Sequence, residues 1–235
     1  MKHLFTMLLL CGIMVSCSKN NNDTPNNNPT GARIYKGILI GSFDQSAIRH
    51  DAGAVLIKLL PTGTARVYGD FIDGANDSTD VSYTTTGNMQ QLTAIIGKDL
   101  YAMNIAFSKG FDGNSPTISG NAVIHPNNFL KGIVALETNV QPIKAFITLG
   151  STYDHNVHFG FIQYGNTIQG FEASDINGVS QSITTGQFIN GSSIAATGQF
   201  KYTGTFNNAD STVTGTCSNV SGNTTSGQWW GYRIY

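Results

Sequence analysis

The sequence predicts an all-β fold, an antiparallel meander closed as a β-barrel, with a β-sandwich as the alternative. From Ile34 almost to the last residue, apolar and polar positions alternate in short runs that are separated by turn signals. Charged residues make up only 11% of the chain, against a usual value of about 25%, whereas Gly contributes 27 residues. Short hairpin spacing favours antiparallel pairing, and glycines within strands suit the strong curvature of a barrel wall.

Two regions show the strand pattern most clearly. The run 55–60 is densely apolar, and Pro61-Thr62-Gly63 after it predicts a tight turn into a second strand over 64–71. In 100–108 apolar residues alternate with small or polar ones, which is typical of a half-buried antiparallel strand. The apolar face of that strand consists of Tyr101, Met103, Ile105 and Phe107. Such runs predict roughly ten to thirteen strands in all.

Large aromatic residues define the strand faces in the C-terminal half. One face of a strand near residue 200 consists of Phe200, Tyr202 and Phe206. The last strand has two alternating sets of side chains, because successive residues of a strand point to opposite sides. We expect its inward face to consist of Trp230, Tyr232 and Ile234. Its outward face then consists of Trp229, Arg233 and Tyr235.

The N-terminus has the three parts of a secretory signal. Lys2 and His3 form a basic start, 4–15 is an apolar run, and the small residue Ser16 precedes Cys17. The apolar run is shorter than the roughly 20 residues that a membrane-spanning helix requires. Met14-Val15-Ser16-Cys17 resembles the lipobox of bacterial lipoproteins, and the resemblance covers the first 17 residues. It implies that Cys17 is lipidated and becomes the first mature residue; an ordinary cleaved signal is the alternative.

The residues after Cys17 predict a flexible tether. Residues 18–31 are rich in Asn and Pro and contain no apolar residue that could nucleate a core, so we expect disorder. A coil of this length has a root-mean-square span of about 20 Å. The predicted organisation is therefore a signal peptide over 1–16, a lipidated cysteine with its tether over 17–31, and a single all-β domain over 32–235. Such a protein is held by its lipid in the cell envelope, at the outer membrane.

Charge and cysteine content exclude some partners and some chemistry. The chain has 13 Lys and Arg against 14 Asp and Glu, and no basic run, so nucleic acid is not an expected partner. Of its three cysteines, Cys11 lies in the signal and Cys17 is the lipid site, which leaves Cys217 without a partner for a disulfide. We expect Cys217 to be a small buried side chain.

An acidic segment is the candidate metal site. Residues 70–80 contain four carboxylates around a glycine turn, which is the oxygen-rich composition that calcium prefers. The spacing is not that of an EF-hand loop, and a solvated acidic hairpin loop is the alternative. The candidate calcium ligands are Asp70, Asp73, Asp77 and Asp80.

The sequence contains no recognisable catalytic motif. Nucleophile elbows, His-Glu-x-x-His helices, P-loops and paired-cysteine zinc sites do not occur in it. Glu172 shares a strand face with Ile168 and Gly170, and we expect it to point inward as a satisfied polar core residue. A glycosidase would need a second carboxylate opposite it, which one sequence cannot assign.

Two functional hypotheses follow. The first is a non-catalytic binding module that holds a small molecule or a glycan in the mouth of the barrel. Its candidate aromatic platforms are Trp229, Trp230, Tyr232, Tyr202 and Tyr164, for each of which core or rim packing is the alternative. The second is an envelope protein whose outer surface meets a protein partner; a carbohydrate-active enzyme ranks last. An internal cavity would favour the first hypothesis and a filled interior the second.

Overall fold

The fold consists of antiparallel strands whose ends are well defined along most of the chain. The computed structural model describes residues 31–41, 52–72, 76–99, 102–110, 115–151, 156–174, 181–183, 185–189, 193–197, 200–219 and 226–235. Within these ranges no helix has the length and apolarity that crossing a membrane requires. The predicted signal peptide and Cys17 lie outside the described residues, as does almost all of the predicted tether, so lipidation stays a prediction.

The first half of the chain forms a nearly closed barrel, which we call the first barrel. Neighbouring strands pair in chain order, and β1 pairs with β9 to join the two ends of the meander. In the described strands, no hydrogen-bonded ladder links β4 to β5, so a seam remains there. The strands are β1 Arg33–Ile40, β2 Ala52–Leu59, β3 Thr64–Phe71, β4 Asn76–Ser82, β5 Thr84–Thr86, β6 Met89–Ile96, β7 Met103–Gly110, β8 Thr117–Ala122 and β9 His125–Glu137.

The second half forms a fully closed barrel, which we call the second barrel. Its strand order is β11-β10-β18-β17-β16-β15-β14-β12-β13, and the additional pairing of β11 with β12 closes eight of these strands into a ring. The short β13 pairs with β12 just ahead of β14. The strands are β10 Ile143–Ser151, β11 Asn156–Tyr164, β12 Thr167–Ser174, β13 Gln181–Ile183, β14 Thr185–Ile189, β15 Ser193–Thr197, β16 Phe200–Asn207, β17 Thr212–Asn219 and β18 Ser226–Arg233.

A third core, which we call the joint, lies between the two barrels. On β1, Tyr35 and Leu39 point into the first barrel, whereas Ile38 and Ile40 point out of it and pack against the second. The joint core consists of Ile38, Ile40, Ala52, Ala54, Ile143, Ala145, Ile147, Ile162 and Ala173. Because both faces of β1 are covered, the strand reads as a nearly continuous apolar run rather than as an alternating one.

One largely buried ion pair connects strands at the joint. The Lys36 ammonium donates to Glu137 Oε2 at 2.6 Å and to the carbonyl oxygen of Ile143 at 3.1 Å. The same carboxylate oxygen accepts from the Ile143 backbone N–H at 3.1 Å. The end of β9, the start of β10 and the start of β1 are thereby held together at one point.

The predicted antiparallel meander and its closure as a barrel are confirmed, although the strands divide between two barrels. The hairpin predicted around Pro61-Thr62-Gly63 is β2–β3, and Gly63 adopts a φ of 87° that favours glycine. In β7, Met103, Ile105 and Phe107 are buried as expected, while Tyr101 lies outside the described residues. Phe200, Tyr202 and Phe206 face the interior of the second barrel.

The predicted orientation of the last strand is wrong. Trp229 is 1% exposed and lies in the core of the second barrel, whereas Trp230 is 55% exposed on its outer side. The inward tryptophan is accommodated by Gly204 on β16, where an added Cβ would come within 2.5 Å of the indole ring. The Trp229 indole N–H also donates to the carbonyl oxygen of Thr216 at 3.1 Å. A long-range partner, which alternation alone cannot reveal, decides which face turns inward.

Candidate ligand site at the mouth of the second barrel

The candidate site lies at the end of the second barrel where β10 begins and β11 ends. The register pairs Ile143 with Tyr164 and Lys144 with Gln163. Because Ile143 and Ala145 face the joint, Lys144 shares the inward side of β10 with the core residue Phe146. The two strands therefore direct one cationic and one amide side chain into the barrel mouth.

An open groove of about 390 Å³ surrounds this pair. The Gln163 Nε2 group donates to the carbonyl oxygen of Gly165 at 2.9 Å, which fixes the orientation of the amide. Its Oε1 atom is buried and accepts no hydrogen bond from the part of the chain that the structure describes. The groove is lined by Val140, Gln141, Pro142, Lys144, Gln163, Tyr164 and Gly165.

Two cationic side chains, Lys144 and Arg233, interact with each other at the mouth. Partial burial lowers the pKa of Lys144, and the positive charge of Arg233 lowers it further. The Lys144 ammonium lies 5.5 Å from the centre of the Phe206 ring, and Arg233 is paired with Phe146 on the adjoining strand. Neither cation forms an ion pair with a carboxylate of the described residues.

The β16–β17 turn, 207–211, holds the carboxylate of Asp210 in local hydrogen bonds. Asp210 Oδ1 accepts from the Thr212 hydroxyl at 2.6 Å and from the Thr212 backbone N–H at 3.0 Å. These hydrogen bonds lower the pKa of Asp210. An anion in the groove would therefore approach Lys144, which, like Arg233 near it, forms no ion pair with a described carboxylate.

Of the five predicted aromatic platforms, Tyr164 lies at this site. It lines the groove and packs on its other side against the joint core, and burial raises its pKa. Trp230 is exposed on the outward face of β18. Tyr232 is half-buried there, and burial followed by the charge of Asp70 raises its pKa. These two residues do not reach the mouth.

The remaining two platforms, Tyr202 and Trp229, are core residues. The Phe159 ring packs between them, at centroid distances of 4.0 Å to Tyr202 and 5.0 Å to Trp229. Phe146 and Phe161 stack at 4.6 Å in the same core. Interlocked rings thus occupy the described interior of the second barrel.

A buried acid completes this interior. Glu172 points inward as predicted, and its Oε2 accepts from the Tyr202 hydroxyl at 2.5 Å and from the Phe200 N–H at 3.5 Å. Burial and the negative charge of Glu172 hold the pKa of Tyr202 well above its usual value. Cys217 is buried beside them, and burial raises the pKa of its thiol. The neutral Cys217 thiol and the hydrogen-bonded Glu172 carboxylate are therefore part of the packed core.

The acidic segment does not bring its described carboxylates together. Asp80 forms an exposed ion pair with Arg66 at 2.9 Å, and Asp77 Oδ1 accepts from the Ser78 N–H at 2.7 Å. Asp70 is paired with Asn76, at the far end of the β3–β4 ladder from Asp80. Within the described ranges no three His, Cys, Asp or Glu side chains are placed to hold a metal ion. Asp73 lies outside those ranges, and a calcium site that includes it stays a prediction.

Sequence reasoning missed Lys144 and Gln163 and assigned Arg233 to the outside. The available signal was the spacing of Ile143, Ala145 and Ile147, which places Lys144 on the opposite face of β10. The sequence does not show that this opposite face is the interior of a barrel. Nor does it show that Gln163 lies directly across from Lys144.

Comparisons with known proteins give only distant likenesses. No protein-family model matches the sequence, and no curated protein matches it. Among solved structures, the chain is similar to a protein from Bacteroides fragilis that carries a provisional outer-membrane designation. The identity is 12% over 86% of this chain and 96% of that one, with a TM-score of 0.30. It is also similar to kievitone hydratase from Nectria haematococca, at 10% identity over 88% and 90% of the two chains, with a TM-score of 0.25. Structural similarities with such low identities and TM-scores support no conclusion about the function of this chain.

Proposed function

We propose that this chain is a lipid-anchored protein of the bacterial cell envelope whose second barrel binds a small hydroxylated anion without catalysing a reaction. The ligand class is that of the sugar acids. The observation that carries the ligand proposal is the groove lined by Lys144 and Gln163, which places a cation beside an amide whose buried oxygen has no described donor.

The chemistry of the groove selects the ligand. Lys144, with Arg233 close behind it, attracts a carboxylate or a phosphate. Gln163 lines the groove, and its amide oxygen has no described donor, which costs a buried acceptor about 1–3 kcal/mol, so we infer that this amide is the group that accepts from a ligand hydroxyl. Val140, Pro142 and Tyr164 offer apolar surface to the carbon skeleton of a sugar ring. A ligand that carries both an anionic group and hydroxyls meets all three demands.

The packed interior of the second barrel favours the partner-binding alternative over a ligand held inside the barrel, so the ligand proposal rests on the groove at the mouth. Aromatic rings fill the described core, and Glu172 is satisfied by Tyr202. The ligand therefore lies on top of this core rather than within it. The same packing supports a non-catalytic role, because the one acid described in this interior is held by core hydrogen bonds.

The ligand proposal is tested by calorimetry on the full-length protein in mild detergent, with glucuronate, glucose and inorganic phosphate as probes. We expect glucuronate to bind and glucose to bind at least about ten-fold more weakly, because it lacks the charge that Lys144 pairs. Phosphate binding as tight as glucuronate binding would show that the anion alone is recognised and that Gln163 has no role.

Matched lysine variants locate the site. Lys144→Gln should weaken glucuronate binding between about ten- and a hundred-fold, since it removes a charge-assisted hydrogen bond, whereas Lys144→Arg should retain most of the affinity. Lys201→Gln is the control, because Lys201 is exposed on the outer face of β16. Equal affinities of the Lys144→Gln and Lys201→Gln proteins would contradict the assignment of the groove.

The pH dependence gives an independent readout. Burial and Arg233 lower the pKa of Lys144, so its ammonium loses the proton at a lower pH than an ordinary lysine does. Affinity for the anion should therefore be full at neutral pH and fall as the pH rises through this lowered pKa. Lys144→Arg should move that loss to higher pH, because an arginine stays protonated.

The anchor is tested separately. Metabolic labelling with a palmitate analogue should mark the native protein, and Cys17→Ala should abolish the label. Labelling that survives this substitution would rule out lipidation at Cys17 and leave the ligand proposal untouched.

A further inference from the structure

The outer face of the first barrel carries an apolar patch built around two asparagines. The register pairs Ile95 with Asn104, Asn104 with Asn121, and Asn121 with Phe129. Side chains of directly paired residues project to the same side of a sheet, so these four form one row across β6, β7, β8 and β9. We call this row and the parallel row beside it the outer wall.

The ends of the row are unusually exposed for apolar side chains. Phe129 is 72% exposed and Ile95 56%, and the adjoining β8–β9 turn adds the exposed Val123 and Ile124. Between them the Asn104 amide donates to Asn121 Oδ1 at 3.3 Å, and the Asn121 amide donates to the carbonyl oxygen of Ala122 at 3.1 Å. The row therefore combines exposed apolar side chains at its ends with oriented amides between them.

The rest of the outer wall carries mostly small side chains and almost no charge. The parallel row consists of Thr93, Ala106, Ser119 and Lys131. One step further, Ser108 and Thr117 share a hydroxyl hydrogen bond of 2.7 Å. The described residues of β6, β7 and β8 include no Asp or Glu, and Lys131 is the wall's single charge. The wall thus presents hydroxyls, amides and one aromatic ring with almost no charge.

The size of the wall decides between two kinds of occupant. Four strands span about 14 Å, and the positions from Ile95 to Gln91 span about 13 Å along β6. A stable protein–protein interface covers about 800 Å² on each partner, several times the area of this wall. A second copy of the chain would therefore be held weakly. A thin polymer with many hydroxyls and no charge fits both the area and the chemistry.

We propose that the outer wall binds a neutral polysaccharide chain. Phe129 stacks against the apolar face of one sugar ring, and the Asn104–Asn121 pair and the neighbouring hydroxyls exchange hydrogen bonds with the sugar hydroxyls. This surface is separate from the groove at the mouth of the second barrel, and it prefers a neutral ligand where the groove prefers an anion.

The test is affinity electrophoresis of the full-length protein in mild detergent, through gels that contain dextran, starch, galactomannan or a soluble β-glucan. We expect at least one neutral polymer to retard the protein and its carboxymethylated form to retard it less. Phe129→Ala should weaken retardation between about two- and ten-fold, and Asn121→Ala should weaken it further in the same gel. Trp230→Ala is the matched control, since Trp230 is also an exposed aromatic residue, at 55%, but lies on the outward face of β18 in the second barrel.

Three results would overturn the proposal. These are mobility unchanged in every polymer, equal retardation of the Phe129→Ala and Trp230→Ala proteins, and a change of oligomeric state with Phe129→Ala in size-exclusion chromatography. The last result would assign the wall to a second copy of the chain. The Lys144→Gln variant should still be retarded by the polymer although its affinity for glucuronate is lowered. The proposals for the outer wall and for the groove are therefore tested independently.

Discussion

The two barrels follow one plan and differ in how they close. In each half of the chain the first strand of the meander pairs with the last, β1 with β9 and β10 with β18. The second barrel is then completed by the β11–β12 ladder, whereas the described strands of the first barrel leave a seam beside β4. The same order of strands therefore gives one closed sheet and one open sheet with two edge strands. An exposed edge strand needs side chains that prevent it from pairing with another chain.

The two interiors differ as much as the two walls. The first barrel is filled mainly by aliphatic side chains; the rings among its described buried residues are Tyr35, Phe71 and Phe107, and Tyr83 packs partly buried against them. The second is filled by aromatic rings around the buried Glu172. Large rings require room across the barrel, which Gly204 provides for Trp229. The closed barrel should consequently depend on a few large side chains, and the open one on many small contributions.

The largest effect that this difference predicts is at Trp229. Trp229→Ala should lower the free energy of unfolding by about 3–5 kcal/mol, because it empties the centre of the closed barrel. Trp230→Ala changes the same residue type one position along and should alter stability by less than about 0.5 kcal/mol, because Trp230 is largely exposed. Urea denaturation of both variants measures this contrast. Similar losses of stability in the two variants would contradict the assignment of Trp229 to the inward face of β18 and of Trp230 to its outward face.

The next effect concerns the joint that couples the barrels. Lys36→Met should cost about 3 kcal/mol, because it leaves the Glu137 carboxylate half-buried with only the Ile143 N–H to stabilise it. Lys201→Met, on an exposed face, is the control and should have little effect. Adding Glu137→Leu to Lys36→Met should recover part of the loss, since no unpaired charge remains. A double variant less stable than the single one would show that Glu137 acts mainly through Ile143.

The polar centre of the closed barrel gives a smaller effect. Tyr202→Phe should cost about 1–3 kcal/mol, because Glu172 loses the donor of its short hydrogen bond. Tyr164→Phe is the control, as this ring lies at the partly exposed groove. Chemical denaturation at neutral pH measures both variants, and equal losses would contradict the role of the Tyr202 hydroxyl.

The same hydroxyl should make the protein sensitive to alkali. The pKa of Tyr202 is raised in the folded state, so the folded protein holds this proton more tightly than the unfolded chain does. The stability that the hydroxyl contributes is therefore present below the ordinary tyrosine pKa of about 10 and is lost as the pH rises above it. Tyr202→Phe should reduce the slope of stability against pH in that range. An unchanged slope would mean that other tyrosines cause the alkaline loss.

Local alternation was enough to predict most strands but not their partners. The β2–β3 hairpin and the inward faces of β7 and β16 follow from residues that are close in sequence, since a turn and a period of two define them. Inward placement of Glu172 also followed from alternation with Ile168 and Gly170. These features need no knowledge of which strand lies opposite.

The division into two barrels and the candidate site depend on contacts between distant residues. Lys36 stands in an apolar run, and its partner Glu137 lies 101 positions away, where no local pattern points. The apolar run of β1 agrees equally with one barrel and with two, because it shows only that both faces are covered. Lys144 and Gln163 become a site only through the β10–β11 register.

The smallest predicted effect tests the seam of the first barrel. Arg66 on β3 donates to Asp80 and to Ser78 of the edge strand β4, each at 2.9 Å. Arg66→Gln should lower global stability by less than about 1 kcal/mol, because the ion pair is exposed. The same change should speed hydrogen exchange of the β4 amides several-fold while leaving β16 and β17 unaffected, because β4 is paired on one side only and opens locally. Hydrogen exchange followed by mass spectrometry separates the two strand groups. If hydrogen exchange were accelerated uniformly across both barrels, β4 would not open independently, and the two barrels would unfold in one event.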